Sequence, residues 1–353
     1  MVAESEAKRR ALAAAQAWFL SATIEPLGRG HIHQTWQVSD QAQPDQRFVL
    51  QRINPVVYAD VELLMAQTEQ VLNALTRDPE FANNYQVPVL VPTAQGRPFA
   101  RIPSQRDEGE DSWRLWRFVE NSATFDPPQD RRQIRLAAQA FGAFQRALSA
   151  VSVGQLDQTI PGFLHLASYL KQFDSALDGA SAEELAQAQP WIDLAQSHRQ
   201  WPEQLSMPNA MIHGDCKINN VLFDRSGKRV LALIDLDNNM HGHWAWDFGD
   251  MVRSIAFSRG GFDPEDYRAC VQGFVSGRRQ RLDADALVQS PAYLAYMLGL
   301  RFLADHLVGD RYFAVPQHGD NLERAKQQFD LFAQFQEAAD SMAAIATEVL
   351  STR

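Results

Sequence analysis

Asp215, Lys217 and Asn220 fall within one short stretch, His213-Gly214-Asp215-Cys216-Lys217-Ile218-Asn219-Asn220, and Ile234-Asp235-Leu236-Asp237 follows it closely. Apolar residues frame each piece. Met211-Ile212 lead in and Val221-Leu222-Phe223 lead out; Asp224-Arg225-Ser226-Gly227-Lys228 reads as a turn. Val230 to Ile234 then reads as a returning strand with Asp235 at its tip. Such a hairpin brings Asp215, Asn220 and Asp235 to one end of a sheet, where they can share a divalent ion. Phosphoryl transfer from ATP requires this set: a carboxylate to orient or deprotonate the attacking hydroxyl, an Asn and an Asp for Mg²⁺, and a cation against the γ-phosphate.

Each assignment has a plainer rival. Asp215 is the general-base candidate against a loop-capping aspartate after glycine, and the company of Lys217, Asn220 and Asp235 favours chemistry. Lys217 is a point charge for the transferred phosphoryl group, or a solvent-facing loop lysine. Asn220, rather than Asn219, has the register of a metal ligand. Asp235 closes an apolar strand, where a carboxylate needs a partner that Mg²⁺ would supply. Asp237 is divided between a contact to substrate or a second ion and a structural role. Cys216, inside the loop, reads as passive because no histidine–carboxylate arrangement around it demands a nucleophile. Asp247-Phe248-Gly249 tempts assignment as a second magnesium motif, but Asp247 opens a helix. It is expected to accept N–H bonds from the catalytic loop and to cap that helix.

The surrounding elements follow from periodicity. Residues 5–20 form an amphipathic helix pattern, Thr35 to Val38 and Arg47 to Gln51 read as strands, and residues 60–76 repeat apolar positions at helical spacing. Pro88, Pro92 and Pro98 fragment the next part into short strands; Trp113 to Glu120 is another strand, and Asn121 to Pro128 the crossing to a second lobe. Beyond about residue 131 helical patterns dominate, with 176–189 as one exposed helix. A small β-rich lobe (1–120) before a larger helical one (121–353) is an α+β, bilobal architecture with a cleft between. Gly28, Gly30 and His31, before the first strand, are placed to cover phosphates, whereas His33 has no such claim. Arg301 stands on an otherwise apolar helical face, either paired with Asp305 or turned into the cleft toward a polar substrate. Tyr312 and Phe313, or Trp244 and Trp246, offer aromatic walls suited to a sugar ring.

The totals agree with this reading. The 353 residues are 45% hydrophobic and 22% charged, enough for two cored lobes, and the net charge of −10 argues against nucleic acid or an anionic membrane as partner. Two cysteines fit a reducing cytoplasm better than a disulfide framework. Lys8-Arg9-Arg10 before Ala11 to Leu20 makes a poor leader, since Glu4, Glu6 and Gln16 interrupt it. No stretch reads as a membrane span.

The pattern H-G-D-x-x-x-x-N, I-D-x-D and W-D-x-x-D resembles the aminoglycoside phosphotransferase/choline kinase superfamily, whose fold is similar to protein kinases. GRGHIHQTWQ (28–37), FVLQRIN (48–54), WRLWRFVE (113–120), KINNVLF (217–223), DFGDMVR (247–253) and LRFLADHLVGDRYFA (300–314) resemble the N-acetylhexosamine 1-kinases within it. The resemblance implies Mg²⁺-dependent transfer of the ATP γ-phosphate to the anomeric C1 hydroxyl of an N-acetylhexosamine, with Asp215 as base and Asn220 and Asp235 as metal ligands. It further implies Arg301 and Tyr312 as sugar contacts, and backbone of Phe118 and Val119 for adenine. One position departs from the wider pattern. Where the strand lysine for the α/β-phosphates is expected stands Gln51, with Arg52 beside it; either Arg52 turns inward or Mg²⁺ and other groups carry the charge, and the usual ion pair to a helix glutamate, here Glu69, is thereby put in doubt.

Overall fold

A computed structural model describes residues 2–19, 21–28, 32–103, 109–151, 159–313 and 315–352. The N-terminal part is a helix α1 (Val2–Ala15) laid on an antiparallel sheet. Its strands are β1 (Ala22–Pro26), β2 (Gln34–Asp40), β3 (Gln43–Arg52), β4 (Leu90–Val91), β5 (Ala100–Pro103) and β6 (Glu110–Arg117), ordered β1-β2-β3-β6-β4 with β5 also on β6. Helices α2 (Val61–Arg77) and α3 (Pro79–Asn84) connect β3 to β4. The short α3 was not foreseen; Asp78 caps it through the Phe81 N–H, and Pro79 starts it.

Strand alternation divides the sheet into two faces. Trp36, Val38, Phe48, Leu50, Trp113 and Leu115 bury themselves with Ala11, Ala14 and Ala15 of α1. The register sets Arg52 opposite Trp113 and Gln51 opposite Arg114. Arg52 therefore lies on the α1 side, while Gln51 and Arg114 face the other way, toward the rest of the chain.

After residue 121 the chain is mostly helical: α4 (Arg131–Leu148), α5 (Leu166–Gly179), α6 (Ala182–Ser197), α7 (Trp244–Arg259), α8 (Pro264–Arg278), α9 (Ala284–Leu307), α10 (Asp320–Glu337) and α11 (Ala339–Ser351). The single helix expected over 176–189 is two, because Ser181 and Glu184 form a capping box that starts α6 afresh. Among these helices lie β7 (Ser122–Ala123), β9 (Val221–Asp224) and β10 (Val230–Leu233), paired β10-β9-β7, and a second pair of β8 (Ala210–Ile212) with β11 (Met240–Gly242). The crossing segment thus adds a strand to the expected hairpin. The fold is α+β and kinase-like, a small antiparallel sheet followed by a larger helical part. Among the described residues no helix is long and apolar enough to cross a membrane.

The closest helix packing, α4 on α8, uses glycine to remove the side chain at the crossing. A Cβ at Gly277 would collide with the Gln139 carbonyl. Gly277→Ala should cost roughly 1–3 kcal/mol by overpacking, read as a lowered midpoint in thermal unfolding; an unchanged midpoint would show that α4 and α8 are not held at this spacing.

Candidate active site

The loop between β8 and β9 is built around a buried carboxylate that belongs to α7. Asp247 Oδ2 accepts the His213 N–H at 2.8 Å and the Gln145 side chain at 2.7 Å, and its Oδ1 accepts the Gly214 N–H at 2.9 Å. Asp247 is therefore the loop anchor expected from the sequence. It is not the cap of its own helix: His243 is, its Nδ1 accepting the Ala245 N–H. His213, fully buried against Phe141 and Phe144, donates Nε2–H to the Ile234 carbonyl and accepts the Asp215 N–H at Nδ1. Burial pushes its pKa down, which fits a neutral ring with one proton. Gly214 has φ +80°, and a Cβ there would strike the Asn238 carbonyl. The glycine is required twice over, by conformation and by space.

These bonds leave Asp215 in a fixed pose. Lys217 Nζ lies 2.7 and 3.0 Å from its two carboxylate oxygens, and Asn220 Nδ2 donates to its Oδ2 at 3.1 Å and to its backbone carbonyl at 2.9 Å. Burial works to raise the Asp215 pKa, but Lys217 outweighs it and holds the carboxyl below the usual range. Burial likewise opposes the charge on Lys217, and the carboxylates of Asp215 and Asp250 overcome it and raise the pKa. Since Asn220 spends its amide nitrogen on Asp215, its Oδ1 is the atom turned away as a potential ligand. Cys216 is completely buried and its thiol is pushed far up, so the passive reading stands.

Ile234 N–H donates to the Asn220 carbonyl at 3.0 Å, bringing the end of β10 beside the loop. Asp235 follows in the left-handed region, φ 65°. Burial, then the charges of Asp237 and Asp215, push its carboxyl up to about 7. Asp237 is different. Arg114 forks onto both its oxygens at 2.6 Å, and His33 Nε2 lies 2.6 Å from Oδ2. It is 1% exposed, and Arg114 with His33 holds it well below the usual carboxylate range against the effect of burial. With both oxygens engaged inside the protein, the substrate contact expected of Asp237 does not fit.

Several neighbouring expectations shift accordingly. Gln51 Oε1 accepts from Arg114 Nε and from Trp116 Nε1, both at 3.0 Å, so its carbonyl end orients an arginine. Arg52 shares Asp111 with Arg10 on the α1 face and does not turn toward the crevice. Glu69 is exposed on α2. Arg114 and His33, which sequence reasoning missed or dismissed, supply the cation and donor that meet the catalytic hairpin. The available signal was Arg114 itself, an arginine between Trp113 and Leu115 on a strand that the sequence already marked. Gly28 stands at the turn with φ +68° and open space around it, while Gly30 and His31 lie outside the described residues. Phe118 N–H donates to the Arg47 carbonyl and the Val119 carbonyl accepts from Ser122; neither bond uses the Phe118 C=O or the Val119 N–H.

Arg301 and Tyr312 meet in a cavity of about 380 Å³ lined also by Phe163, Tyr169, Asp305 and Phe313. The guanidinium carbon lies 5.0 to 5.9 Å from the ring centroids of Phe313, Tyr169, Phe163 and Tyr312. The rival pairing of Arg301 with Asp305 is displaced, because Asp305 accepts the N–H groups of Arg311, Tyr312 and Phe313 and the Asn321 amide. The cavity adjoins the hairpin: Thr159 donates to the Asp237 carbonyl, and Ile160, next along the chain, lines the cavity. Trp244 and Trp246 are core residues, not walls of the site.

The chain has relatives among known proteins. The profile of the phosphotransferase enzyme family (APH) matches residues 23–284. The chain belongs to this family. The fold of this phosphotransferase is similar to that of a microcompartment-associated aminopropanol kinase, at 19% identity and a TM-score of 0.66, over 96% of this chain and 98% of that one. It is similar also to an aminoglycoside phosphotransferase from Alicyclobacillus acidocaldarius subsp. acidocaldarius DSM 446 (15% identity, TM-score 0.62, 96% and 95% covered). An amicoumacin kinase solved with AMP-PNP, Ca²⁺ and Ami matches at 14% identity and a TM-score of 0.59, covering 94% and 96%. The family match ends at residue 284, so Arg301 and Tyr312 of the phosphotransferase lie beyond it.

Replacing Asp247 with alanine strands two buried N–H groups of the catalytic loop. The Asp247→Ala protein should lose about 3 kcal/mol in urea unfolding. A loss below about 1 kcal/mol would mean that these bonds do not anchor the loop.

Proposed function

We propose that this phosphotransferase is an ATP- and Mg²⁺-dependent small-molecule kinase whose acceptor is a sugar hydroxyl, the anomeric C1 hydroxyl of an N-acetylhexosamine or related hexose. The observation that carries the reading is the hydrogen-bonded set Lys217–Asp215–Asn220 next to Asp235. On this reading residues 1–120 form the nucleotide lobe and 121–353 the catalytic and acceptor lobe.

The donor set suits a hard cation. Asn220 Oδ1 and the Asp235 carboxylate are oxygen ligands, and the raised pKa of Asp235 marks a carboxylate short of counter-charge. Among the described residues no three His, Cys, Asp or Glu side chains form a metal cage, which matches an ion bound mainly through nucleotide phosphates. Asn220 Oδ1 and the Asp235 carboxylate would hold Mg²⁺ there, and the ion would supply charge neutralisation for the phosphates. Asp215, ionised at neutral pH, accepts the hydroxyl proton as the acceptor oxygen bonds to the γ-phosphorus and the bond to the ADP oxygen breaks. Lys217 presents a positive charge beside that carboxylate, and the Phe118 C=O and Val119 N–H offer the adenine an acceptor and a donor.

The cavity supports this acceptor class. A cationic acceptor, as for a choline, aminoglycoside or homoserine kinase, calls for an unsatisfied carboxylate. Asp305 is the only carboxylate among the described residues lining the cavity, and backbone N–H groups and Asn321 occupy it. The cation of Arg301 already fills the aromatic box. A neutral, hydroxyl-rich ring, with Arg301 and Tyr312 donating, satisfies what is left.

Incubation with MgATP and a panel of N-acetylhexosamines, hexoses, choline, aminopropanol and aminoglycosides tests this. Phosphorus NMR should show a sugar 1-phosphate, its signal split by the anomeric proton, and Asp215→Asn should slow it by at least about 10³-fold with ADP binding retained. Turnover of the amines alone would refute the sugar assignment, and full activity of Asp215→Asn would remove that residue as base.

A further inference from the structure

The turn that immediately follows Asp235 is gripped from the sheet side of the crevice. Arg114, on β6, forks onto both oxygens of Asp237. Gln51, directly opposite it on β3, fixes the guanidinium through Nε. His33 accepts the Asn54 N–H at Nδ1, so its Nε2 carries the proton that goes to Asp237. Tyr58 donates to Asn238 Oδ1 at 3.0 Å, and Thr159 to the Asp237 carbonyl at 3.0 Å. On its other side the Asn238 carbonyl packs against Gly214 of the catalytic loop. Asp235 sits at the head of this held turn in a left-handed conformation that is strained for a non-glycine residue and persists only where surroundings over-determine it.

We propose that Arg114 is a positioning residue for phosphoryl transfer: its fork onto Asp237, oriented by Gln51, clamps the left-handed turn so that Asp235 presents its carboxylate beside Asn220. The inference rests on the kinase reading, because it assigns Asp235 to the nucleotide-bound cation. It goes beyond that reading in giving the sheet a second task. Besides roofing the nucleotide, β3 and β6 aim a ligand carried by the other half of the molecule. A fork is needed because two parallel bonds fix both distance and rotation, whereas a single lysine contact fixes only distance.

Removing one partner alone would strand a buried charge and unfold the site for reasons unrelated to aim. The informative protein is therefore Arg114→Met with Asp237→Leu, which removes both charges together, compared with Arg114→Lys, which keeps the charge and loses the fork. Binding of ADP is measured by calorimetry in EDTA and again with Mn²⁺, the ion being followed by its electron spin resonance. Both variants should bind ADP in EDTA within about twofold of the wild type, while their affinity for MnADP falls 10- to 100-fold, the usual effect of disturbing a ligand's support. MnADP affinity within twofold of wild type in either folded variant overturns the proposal, and so does an equal loss with and without the metal. A wild-type protein whose ADP binding gains nothing from Mn²⁺ overturns the kinase reading and the proposal with it.

Discussion

Asp215, Asp235, Asp237 and Asp247 stand on two adjoining loops and the helix that follows, and the low dielectric there does not let four negative charges persist without compensation. Three are provided for. Lys217 meets Asp215, Arg114 meets Asp237, and the backbone of the catalytic loop with Gln145 meets Asp247. Asp235 is left with its burial and then the repulsion of its neighbours, and its carboxyl rises to about 7. The folded protein therefore holds a proton there between about pH 4 and 7 that the unfolded chain releases, and without a cation this group's contribution to stability falls as pH rises through that window. The charge distribution is that of a site completed by its ligand.

Everything around this imbalance holds the other three pairs still. The sheet contributes through strand alternation: β3 and β6 send Leu50 and Trp113 into the α1 core and Gln51 and Arg114 toward the hairpin. The helical part contributes through α7, whose Asp247 reaches back to two N–H groups of the loop, and α4, whose Gln145 joins Asp247 and takes a bond from Arg278. Farther out, Asp305 uses its whole hydrogen-bonding capacity on residues 311–313 and Asn321, which sets Tyr312 and Phe313 beside Arg301.

Local signals made much of this legible. The hairpin, the helix over Val61–Arg77 and the anchoring role of Asp247 follow from apolar periodicity and from carboxylates at its edges. What could not be read was pairing between elements far apart in sequence. Nothing near Asp237 announces that Arg114 will meet it, and nothing near Arg52 says that Asp111 and Arg10 will claim it, because strand register decides both. Nothing local announces that His33 will reach Asp237 either. That Asp305 would be taken by backbone donors of residues 311–313, and so would not pair with Arg301, has no side-chain signature.

The most direct test of the charge imbalance counts protons. Calorimetric binding of MgADP at pH 7 in two buffers of different ionisation enthalpy gives the protons released, and the difference between wild type and Asp235→Asn isolates the carboxyl at issue. A proton held with a pKa of about 7 and displaced by the ion should appear as a difference of about half a proton per site. No difference between the two proteins would mean that Asp235 does not exchange its proton for the cation, and the account of this crevice would be wrong.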